Sequence, residues 1–435
     1  MGLNTSGPIS LAGTTDGQSI ALELGESATA VISLNDSAVR DLGGVASGAI
    51  VMPTNFYGAS SGPSLSFGSP QSTGVTGVSG TATTYDQYRD RVVLSYGKYP
   101  SQGLYAKTGT ISGNTITYAA ETLIWNANSS PVANLGATYR ANDEVTVIFF
   151  NEATNSNRGV VTTLNVNTSG IPTRGATSGF GAGTDSITMF GGNVVGFDSD
   201  NNNSFAVYKN NSNSGYGEMQ VANAGFASIT MYNEVVFHSA SIDYCSTTFG
   251  INGAAVVVFI DANNSNKGKA RVASMTNQPS FGNVALFSDA QTEFCTVVFA
   301  GSPHYKYVVI YQTSSDNNLK ARVGSVSGTG ISFGTEVTID TNYITGFSMS
   351  ASWNPDDKVV VISWEDRQSS PNAGMAVLGT ISSTDITFSG LAAFESGNVN
   401  YTSQVYDPDT DQTLIAFVDI DASGTLKVVT ANVAT

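Results

Sequence analysis

The feature of this sequence that most constrains its fold is a short apolar run that recurs at intervals of 51 to 59 residues. Runs of five or six β-branched and aromatic residues, followed by polar turn residues, are typical of buried strands. The seven runs are RVVLSY (91–96), VTVIFF (145–150), SFAVY (204–208), AVVVFI (255–260), KYVVIY (306–311), KVVVIS (358–363) and TLIAFV (413–418). The chain is therefore predicted to repeat one β unit seven times.

Three further strands are predicted around each run. The segment that follows, such as DANNSNKGKARVASM (261–275), contains the Asn, Asp, Ser and Gly that suit a hairpin turn. An outer strand comes next, as in ISFGTEVTI (331–339), and another strand precedes the run, as in CSTTFG (245–250). Four-stranded units repeated about four to eight times are typical of a β-propeller. We predict an all-β, seven-bladed β-propeller over residues 61–435; a solenoid, the other candidate, would show atypical capping repeats at both ends.

One fragment of the repeat lies outside the series. The segment SLSFGSPQSTG (64–74) carries the Ser-Phe-Gly signature of an outer strand, some 50 residues before any complete copy has ended. The last copy, in contrast, reaches Thr435 with only three strands. An unfilled sheet edge would leave N–H and C=O groups unpaired. We therefore predict that 64–74 supplies the missing outer strand beside Leu426–Val433 and closes the ring.

Composition excludes several classes of partner. Charged residues are 12% of the chain, against about 25% in ordinary soluble proteins, and the net charge is −16. An acidic surface repels phosphate backbones, so we expect no nucleic-acid partner. No run approaches the roughly 18 apolar residues of a membrane span, so we expect no membrane insertion. The first residues also lack the basic and apolar regions of a signal peptide.

The two cysteines, Cys245 and Cys295, occupy equivalent positions in neighbouring copies. Two cysteines cannot form a disulfide framework or a Cys-rich metal site, and we expect both to be small buried thiols. The two histidines, His238 and His304, have no third ligand at motif spacing. We therefore expect no metal site and no cofactor.

Residues 1–60 are predicted to form a separate N-terminal module, because their sequence does not follow the pattern of the repeats. SIALEL (19–24) and TAVISL (29–34) are predicted to be strands, and NDSAVRDLGG (35–44) a short helix with Asn35 as its N-cap and Gly43 as its stop. A module of this size has few core positions, so docking on a partner or oligomerising would add most to its stability.

The stretches GPISLAGTTDGQSIALELG (7–25) and ISLNDSAVRDLGGVASGAIVMPTNFYGAS (32–60) resemble the N-terminal segment of virion structural proteins of tailed bacteriophages, and the repeats are similar to those in such proteins. The resemblance covers most of the chain. It implies a virion component, tail-associated or similar, that is made in the host cytoplasm and present in several copies or as a homo-oligomer. It further implies that residues 1–60 dock on other virion proteins and that the propeller points outward. It transfers no catalytic residue.

Aromatic residues on the predicted inter-blade connections are candidates for binding a host cell-surface glycan. Trp125 and Asn126, Tyr343, and Tyr401 would lie on one face of a propeller. Aromatic rings beside Asn and Asp offer an apolar platform with fixed hydrogen-bond partners. The alternative is that these rings pack between blades.

Two acids, Asp243 and Glu293, stand at equivalent positions two residues before each cysteine. If they begin innermost strands, their carboxylates approach the axial mouth, where a pair could hold a cation or perform acid–base chemistry. The alternative is that both are solvated strand ends. We expect a non-enzymatic virion protein. The other hypotheses are a secreted lectin or glycoside-processing enzyme that uses Asp243 and Glu293, and a purely architectural role.

Overall fold

The computed structural model describes every residue except 1, 2, 5, 16, 25, 46–48, 57–62, 101, 102, 127–131, 133, 153–156, 182–184, 191, 192, 342, 343, 368–370 and 435; the side chains of 41 and 344–348 are also not described. The repeat region consists of antiparallel strands, which confirms the prediction of an all-β chain. Among the described residues, no helix is both long and apolar enough to span a membrane.

The N-terminal module is helical where strands were predicted. Its elements are α1 (Ile20–Glu23), α2 (Ser37–Leu42) and a 3₁₀ turn at Thr54–Phe56. The predicted strand at 19–24 is wrong because Ser19 caps α1, its Oγ accepting a hydrogen bond from the Leu22 N–H at 3.3 Å. The strand at 29–34 is also wrong, since these residues form turns and irregular structure.

The predicted helix at 35–44 is confirmed as α2, although it begins two residues later than the proposed cap Asn35. Asp36 precedes the helix, and its carboxylate accepts the Ser33 N–H at 2.7 Å. Gly43 ends the helix as expected, donating its N–H to the carbonyl of Val39 at 3.1 Å. The module has a small core of its own, formed by Leu3, Ile20, Val39 and Phe56 with half-buried neighbours from the same segment.

The strands after the module form units with four strand positions, which we number in chain order; in several units two short strands share one position. Two short strands come first: β1 (Ser64–Phe67) and β2 (Gln71–Ser72). Unit 1 contains β3 (Val78–Asp86), β4 (Arg91–Lys98), β5 (Gly103–Ser112), β6 (Thr115–Tyr118) and β7 (Thr122–Asn126). Unit 2 contains β8 (Leu135–Arg140), β9 (Val145–Glu152), β10 (Arg158–Val166) and β11 (Pro172–Phe180).

Units 3 to 5 share two long strands, each of which ends one unit and begins the next. Unit 3 contains β12 (Ile187–Thr188), β13 (Val195–Asp198), β14 (Asn203–Asn210), β15 (Tyr216–Ala224), β16 (Ile229–Met231) and the first part of β17 (Val235–Phe249). Unit 4 contains the rest of β17, β18 (Ala254–Asp261), β19 (Lys267–Ser274), β20 (Ser280–Phe281) and the first part of β21 (Ala285–Ala300). Unit 5 contains the rest of β21, β22 (Lys306–Thr313), β23 (Leu319–Ser327), β24 (Gly330–Phe333) and β25 (Val337–Asp340).

The last two units complete the series. Unit 6 contains β26 (Ile344–Asn354), β27 (Val359–Asp366), β28 (Gly374–Ser382) and β29 (Asp385–Glu395). Unit 7 contains β30 (Val399–Asp407), β31 (Gln412–Asp419) and β32 (Thr425–Ala434), and its outer edge is formed by β1 and β2.

The second strand of each unit is apolar on both faces because each face packs against a different neighbour. In β18, Val257 and Phe259 belong to a core shared with unit 3, whereas Val256 and Val258 belong to a core shared with unit 5. Successive side chains of a strand point to opposite faces, so a strand between two neighbours must be apolar throughout. This packing explains the seven apolar runs of the sequence.

The predicted closing strand is confirmed. Ser64 to Phe67 pair antiparallel with Ala434 to Ala431, and Gln71 lies opposite Val428. Leu65 packs into the cores between units 6 and 7. In addition, first strands of successive units contact each other, and β30 of unit 7 contacts β3 of unit 1. The contacts between first strands therefore run from unit 1 through unit 7 and back to unit 1.

The Ser-Phe-Gly signature has a steric cause. Its glycine lies against a turn of the next unit: a Cβ on Gly334 would be 1.9 Å from the carbonyl oxygen of Thr384, and one on Gly282 would be 1.8 Å from that of Thr329. A Cβ on Gly68 in the closing segment would lie 3.0 Å from the Asn114 side chain in a turn of unit 1, although the nearest atom would be the Thr430 hydroxyl of unit 7 at 2.5 Å. The signature therefore marks an outer strand that a neighbouring unit approaches closely.

The closure can be tested with two shortened chains. A chain that begins at Val75 lacks β1 and β2, whereas a control that begins at Pro63 lacks only the N-terminal module. We expect the free energy of unfolding to be lower by at least about 2 kcal/mol for the shorter chain, because it loses the burial of Leu65 and Phe67. Its exposed β32 edge should also promote self-association, measured by light scattering. Equal urea-denaturation curves for the two monomeric chains would contradict the closure.

Candidate functional site

The first strand of each unit carries an aromatic residue at its last or last but one position, at the same place in the register. In every unit this residue lies one step before the hairpin to the second strand. The seven residues are Tyr85, Tyr139, Phe197, Phe249, Phe299, Trp353 and Tyr406. We use the name aromatic collar for the five that line a common cavity: Tyr85, Tyr139, Phe197, Phe249 and Tyr406.

A side-chain turn follows the aromatic residue in four units. The first side-chain oxygen of the next residue accepts the backbone N–H of the residue two positions later, at 2.9 to 3.1 Å. These turn residues, all buried, are Asp86, Asp198, Asn354 and Asp407. Asp and Asn favour such turns because their short side chains bond the local backbone. The turn fixes the end of the strand and with it the aromatic ring.

Arg140 occupies the turn position in unit 2 and is fully buried. Its guanidinium donates to the Asp143 carboxylate through Nε at 3.0 Å and through Nη2 at 2.5 Å. Nη2 also lies 3.3 Å from Asn223 Oδ1, while Nη1 has no partner among the described residues. The positive charge of this buried guanidinium is therefore balanced by one carboxylate, that of Asp143.

The tyrosine hydroxyls of the collar bind carboxylates across unit boundaries. Tyr139 in unit 2 donates to Asp86 Oδ1 in unit 1 at 2.7 Å. Tyr85 in unit 1 donates to Asp409 Oδ2 in unit 7 at 2.9 Å and also contacts Asp90 in its own hairpin. Burial, reinforced by the bond to Asp86, raises the pKa of Tyr139 well above its usual range. The hydroxyls are therefore donors that hold the rings in place.

Tyr406 repeats the arrangement between units 6 and 7. Its hydroxyl lies 2.5 Å from Asp356 Oδ2 of unit 6 and 3.0 Å from Asp411 Oδ1 of its own hairpin. Burial and these two carboxylates raise the pKa of Tyr406. Three of the five collar residues thus form a hydrogen bond from their hydroxyl group to a carboxylate of the preceding unit.

The collar surrounds a cavity of about 530 Å³ that is lined by the first strands of all seven units. Asn193 lies in its wall and reaches from unit 3 to unit 6, where its side-chain amide donates to the Ala351 carbonyl at 3.4 Å. The Asn193 carbonyl accepts the Thr247 N–H at 2.7 Å and the Ser246 hydroxyl at 2.8 Å. These bonds join three units at the cavity.

The cavity lining is neutral. Its polar side chains are threonines, amides and the collar tyrosines, and no Asp, Glu, Lys, Arg or His is among the described lining residues. Thr83 is nine-tenths buried and its Oγ1 has no partner in the described part of the chain. Gln404, in contrast, is held on both sides by Ser363 and Ser352. A group such as the Thr83 hydroxyl can hydrogen-bond a neutral polar ligand.

A larger cleft of about 700 Å³ lies between units 2 and 3. Two of its polar groups are committed to neighbours: Arg158 Nε donates to Glu152 Oε2 at 2.6 Å, and Gln220 bonds the Gly181 N–H and the Tyr232 carbonyl. We interpret this cleft as part of the contact between the two units.

Three carboxylates that sequence reasoning missed come together beside Tyr85. Oxygen atoms of Asp90, Asp407 and Asp409 lie within 4.8 Å of one another, a grouping that could hold a hard cation. Asp90 belongs to unit 1 and the other two to unit 7, so the contact between these two units creates the group. The signal was the motif YDQYRD (85–90) recurring as YDPDTD (406–411).

The predicted glycan-binding residues do not form one surface among the described residues. Trp125 lies in β7, half-buried, with its ring 6.1 Å from that of Phe150 and the Arg174 guanidinium 5.1 Å above it. Asn126 is exposed at the end of the same strand. The expectation that Trp125 lies on a connection is wrong, because its ring packs between units 1 and 2.

Tyr401 is half-buried at an irregularity of β30 with φ of 51° and packs into the core between units 1 and 7. Burial raises the pKa of its hydroxyl. The expectation that its ring lies on an exposed connection is therefore also wrong. Tyr343 lies outside the described residues.

The carboxylates Asp243 and Glu293 lie at the bulges where β17 and β21 pass from one unit to the next. Both therefore stand where the first-strand segments of units 4 and 5 begin. Asp243 Oδ1 is 3.3 Å from Lys209 Nζ, and neither acid is among the described lining residues of the cavity inside the collar.

The thiols of Cys245 and Cys295 are buried and unbridged, as predicted. Burial raises the pKa of both, so they are poor nucleophiles. His238 Nε2 lies 3.2 Å from Asp261 Oδ2, and the His304 ring meets Trp353 edge-on at 5.6 Å.

No protein-family model matches the sequence. No curated protein matches it either. Among solved structures, the chain is similar to AofleA from Arthrobotrys oligospora: 10% identity over 78% of this chain and 92% of that chain, with a TM-score of 0.46. An AofleA variant with three arginines replaced by alanine gives 11% identity, the same coverage and a TM-score of 0.49. NanB with Optactamide gives 11% identity over 83% of this chain and 69% of that chain, with a TM-score of 0.44.

The dependence of Arg140 on Asp143 yields a stability prediction. Asp143→Ala leaves a fully buried guanidinium without its carboxylate and should cost about 3 kcal/mol of unfolding free energy. Arg140→Met removes the charge at similar volume and should change stability by less than about 1 kcal/mol. In an Arg140→Met background, Asp143→Ala should have little further effect. Urea denaturation of the four proteins measures this, and a cost for Arg140→Met equal to that for Asp143→Ala would contradict it.

Proposed function

We propose that this protein is a non-enzymatic carbohydrate-binding protein, and that its repeat region is a seven-bladed β-propeller which binds a neutral glycan in the axial cavity. The observation that carries this proposal is the lining of the cavity, which combines an aromatic collar with neutral hydroxyl and amide groups and contains no Asp, Glu, Lys, Arg or His among the described residues.

The seven-bladed architecture is supported by strand register. Each unit has the four-stranded antiparallel order of a blade, and the contacts between first strands lead from unit 1 through unit 7 and back to unit 1. In this arrangement the first strands surround the axis, and a ligand entering at the hairpin end meets the collar first.

The chemistry of the cavity suits a sugar. The C–H face of a pyranose ring stacks on aromatic rings, and its hydroxyl groups exchange hydrogen bonds with threonine and amide groups. The volume of about 530 Å³ falls within the roughly 300–1,000 Å³ of small-molecule sites. The carboxylates that bind the Tyr139 and Tyr85 hydroxyls hold those rings in position before a ligand arrives. Such pre-organisation lowers the entropic cost of binding.

The absence of carboxylates from the described cavity lining favours binding over hydrolysis. Most glycosidases place two carboxyl groups about 5 to 9.5 Å apart across the scissile bond. Asp243 is paired with Lys209, and neither it nor Glu293 is among the described lining residues. The alternative of a glycoside-processing enzyme would require turnover that Asp243→Asn or Glu293→Gln abolishes.

The virion part of the proposal rests on the sequence of residues 1–60, which resembles phage virion proteins. The described residues of this module form a core without side chains from the repeats. We propose that the module docks on other virion proteins and that the repeat region is displayed for host-surface glycans. Proteomics of purified phage particles should find the chain in fixed stoichiometry; its absence from particles would reject this part and leave glycan binding untouched.

The cavity can be tested by blocking its mouth. Ala141 lines the cavity at the hairpin of unit 2, whereas Ser199 occupies the same turn position in unit 3 without lining it. We expect the full chain to bind neutral oligosaccharides on a glycan array. Ala141→Trp should weaken this binding at least about tenfold, because the indole fills the mouth, and Ser199→Trp should leave it unchanged.

Three results would contradict the proposed site. These are equal binding by Ala141→Trp and the unaltered chain, binding confined to anionic glycans, and no binding to any glycan. Hydrolysis of the array glycans would instead favour the enzyme alternative.

A further inference from the structure

A second cleft, separate from the axial cavity, lies between units 4 and 5. It has a volume of about 320 Å³ and is lined by the hairpins of these units and the end of β23. The lining residues that matter here are Ile251, Asn252, Tyr305, Tyr307 and Val326. None of the described lining residues of this cleft is charged, and two large apolar side chains, Ile251 and Tyr305, are exposed there.

Tyr305 has a backbone conformation that a tyrosine rarely adopts. Its φ is 50°, in the left-handed region where bulky residues are uncommon. At the same turn position, unit 4 has Gly253 with a φ of 67°, and the residues of the other five units are polar: Asp90, Glu144, Asn202, Lys358 and Asp411. Asn and Asp adopt this left-handed backbone conformation more readily than tyrosine does, so the turn does not require an aromatic residue. Residues held in unfavourable conformations cluster at functional sites, which makes the ring a candidate binding group.

The surroundings of Tyr305 hold it in place and leave its ring accessible. Its N–H donates to the Gly301 carbonyl at 2.9 Å, and its side chain is 49% exposed. Tyr307, beside it in the cleft, is buried and anchored to the Ala254 carbonyl at 3.4 Å. Asn252 is exposed.

We propose that this cleft is a second carbohydrate site, in which the Tyr305 ring stacks on the apolar face of a neutral pyranose and the Asn252 amide bonds its hydroxyl groups. The uncharged lining selects against anionic ligands, because a buried anion would lack a counter-charge. The apolar Ile251 and Val326 side chains border the stacked ring. This site uses no residue of the axial cavity, and its occupation is independent of the proposed primary site.

The strained conformation makes the proposal testable through two opposite effects. Tyr305→Asn removes the ring and places at this position the residue type that unit 3 uses in Asn202. We therefore expect its melting temperature to rise by about 1–3 °C while binding at the cleft is lost. Tyr305→Phe keeps the ring and should retain both properties. Lys358→Asn, the matched control in unit 6, should gain stability without losing binding.

Binding is measured by saturation-transfer NMR on the full chain, with methyl pyranosides of glucose, galactose, mannose and N-acetylglucosamine at millimolar concentration. The Ala141→Trp background blocks the axial cavity and isolates the cleft. We expect saturation transfer in Ala141→Trp and its loss on adding Tyr305→Asn. No transfer from any of the four sugars in Ala141→Trp, or transfer that survives Tyr305→Asn, would overturn the second site. A lower melting temperature for Tyr305→Asn would also overturn it, since the ring would then be a structural element of the hairpin.

Discussion

The backbone pairing of β1 with β32 is the interaction on which the rest of the structure depends. It joins residues that are more than 360 positions apart and gives the last unit its outer strand. Asn114 of unit 1 reinforces the junction, since its Oδ1 accepts hydrogen bonds from Gln412 and Thr430 of unit 7. Because first and last units are neighbours, hairpins from both ends of the chain meet at the axial cavity.

The same closure sets the electrostatics of the cavity mouth. The chain carries 34 acidic residues against 18 basic ones, and several acids lie in the hairpins around the collar. These carboxylates bind tyrosine hydroxyls and backbone N–H groups instead of lining the cavity. The negative charge therefore orients the aromatic rings and leaves a neutral interior. The proposed binding of a neutral glycan without catalysis would need both properties: rigid rings and no carboxylate within reach of a glycosidic bond.

Much of the repeat region could be predicted from the sequence because its cause is local and repeated. A strand buried on both faces must be apolar throughout, and seven such runs identified the second strands. The closing strand was recognisable because Gly68, like Gly282 and Gly334, must accommodate a turn of the next unit. The N-terminal module was harder: Ile20, Leu22 and Leu24 alternate as in a strand, yet Ser19 caps a helix of four residues.

The site could be predicted only in part, because it depends on which copies become neighbours. Asp243 and Glu293 were a candidate pair because they occupy equivalent positions in neighbouring copies. The collar, however, is built by contacts between successive units, such as the hydrogen bond of Tyr139 to Asp86. The useful signal was the aromatic residue at the end of each first strand, which Asp or Asn follows in four of the seven units. Trp125 and Tyr401 looked exposed because their neighbours are polar, whereas their rings fill gaps between units.

The most direct test of this account is a cross-link between Ser66 and Asn432, which lie directly opposite each other on β1 and β32. Opposed residues on antiparallel strands have Cα atoms about 4.5–5.5 Å apart, within the range of a disulfide. With Ser66→Cys and Asn432→Cys in one chain, mild oxidation should give an internally linked monomer, detected by mass spectrometry and by faster migration under denaturing, non-reducing conditions. Free thiols or only intermolecular dimers would mean that the ring is not closed by this strand, and the axial cavity would lose its structural basis.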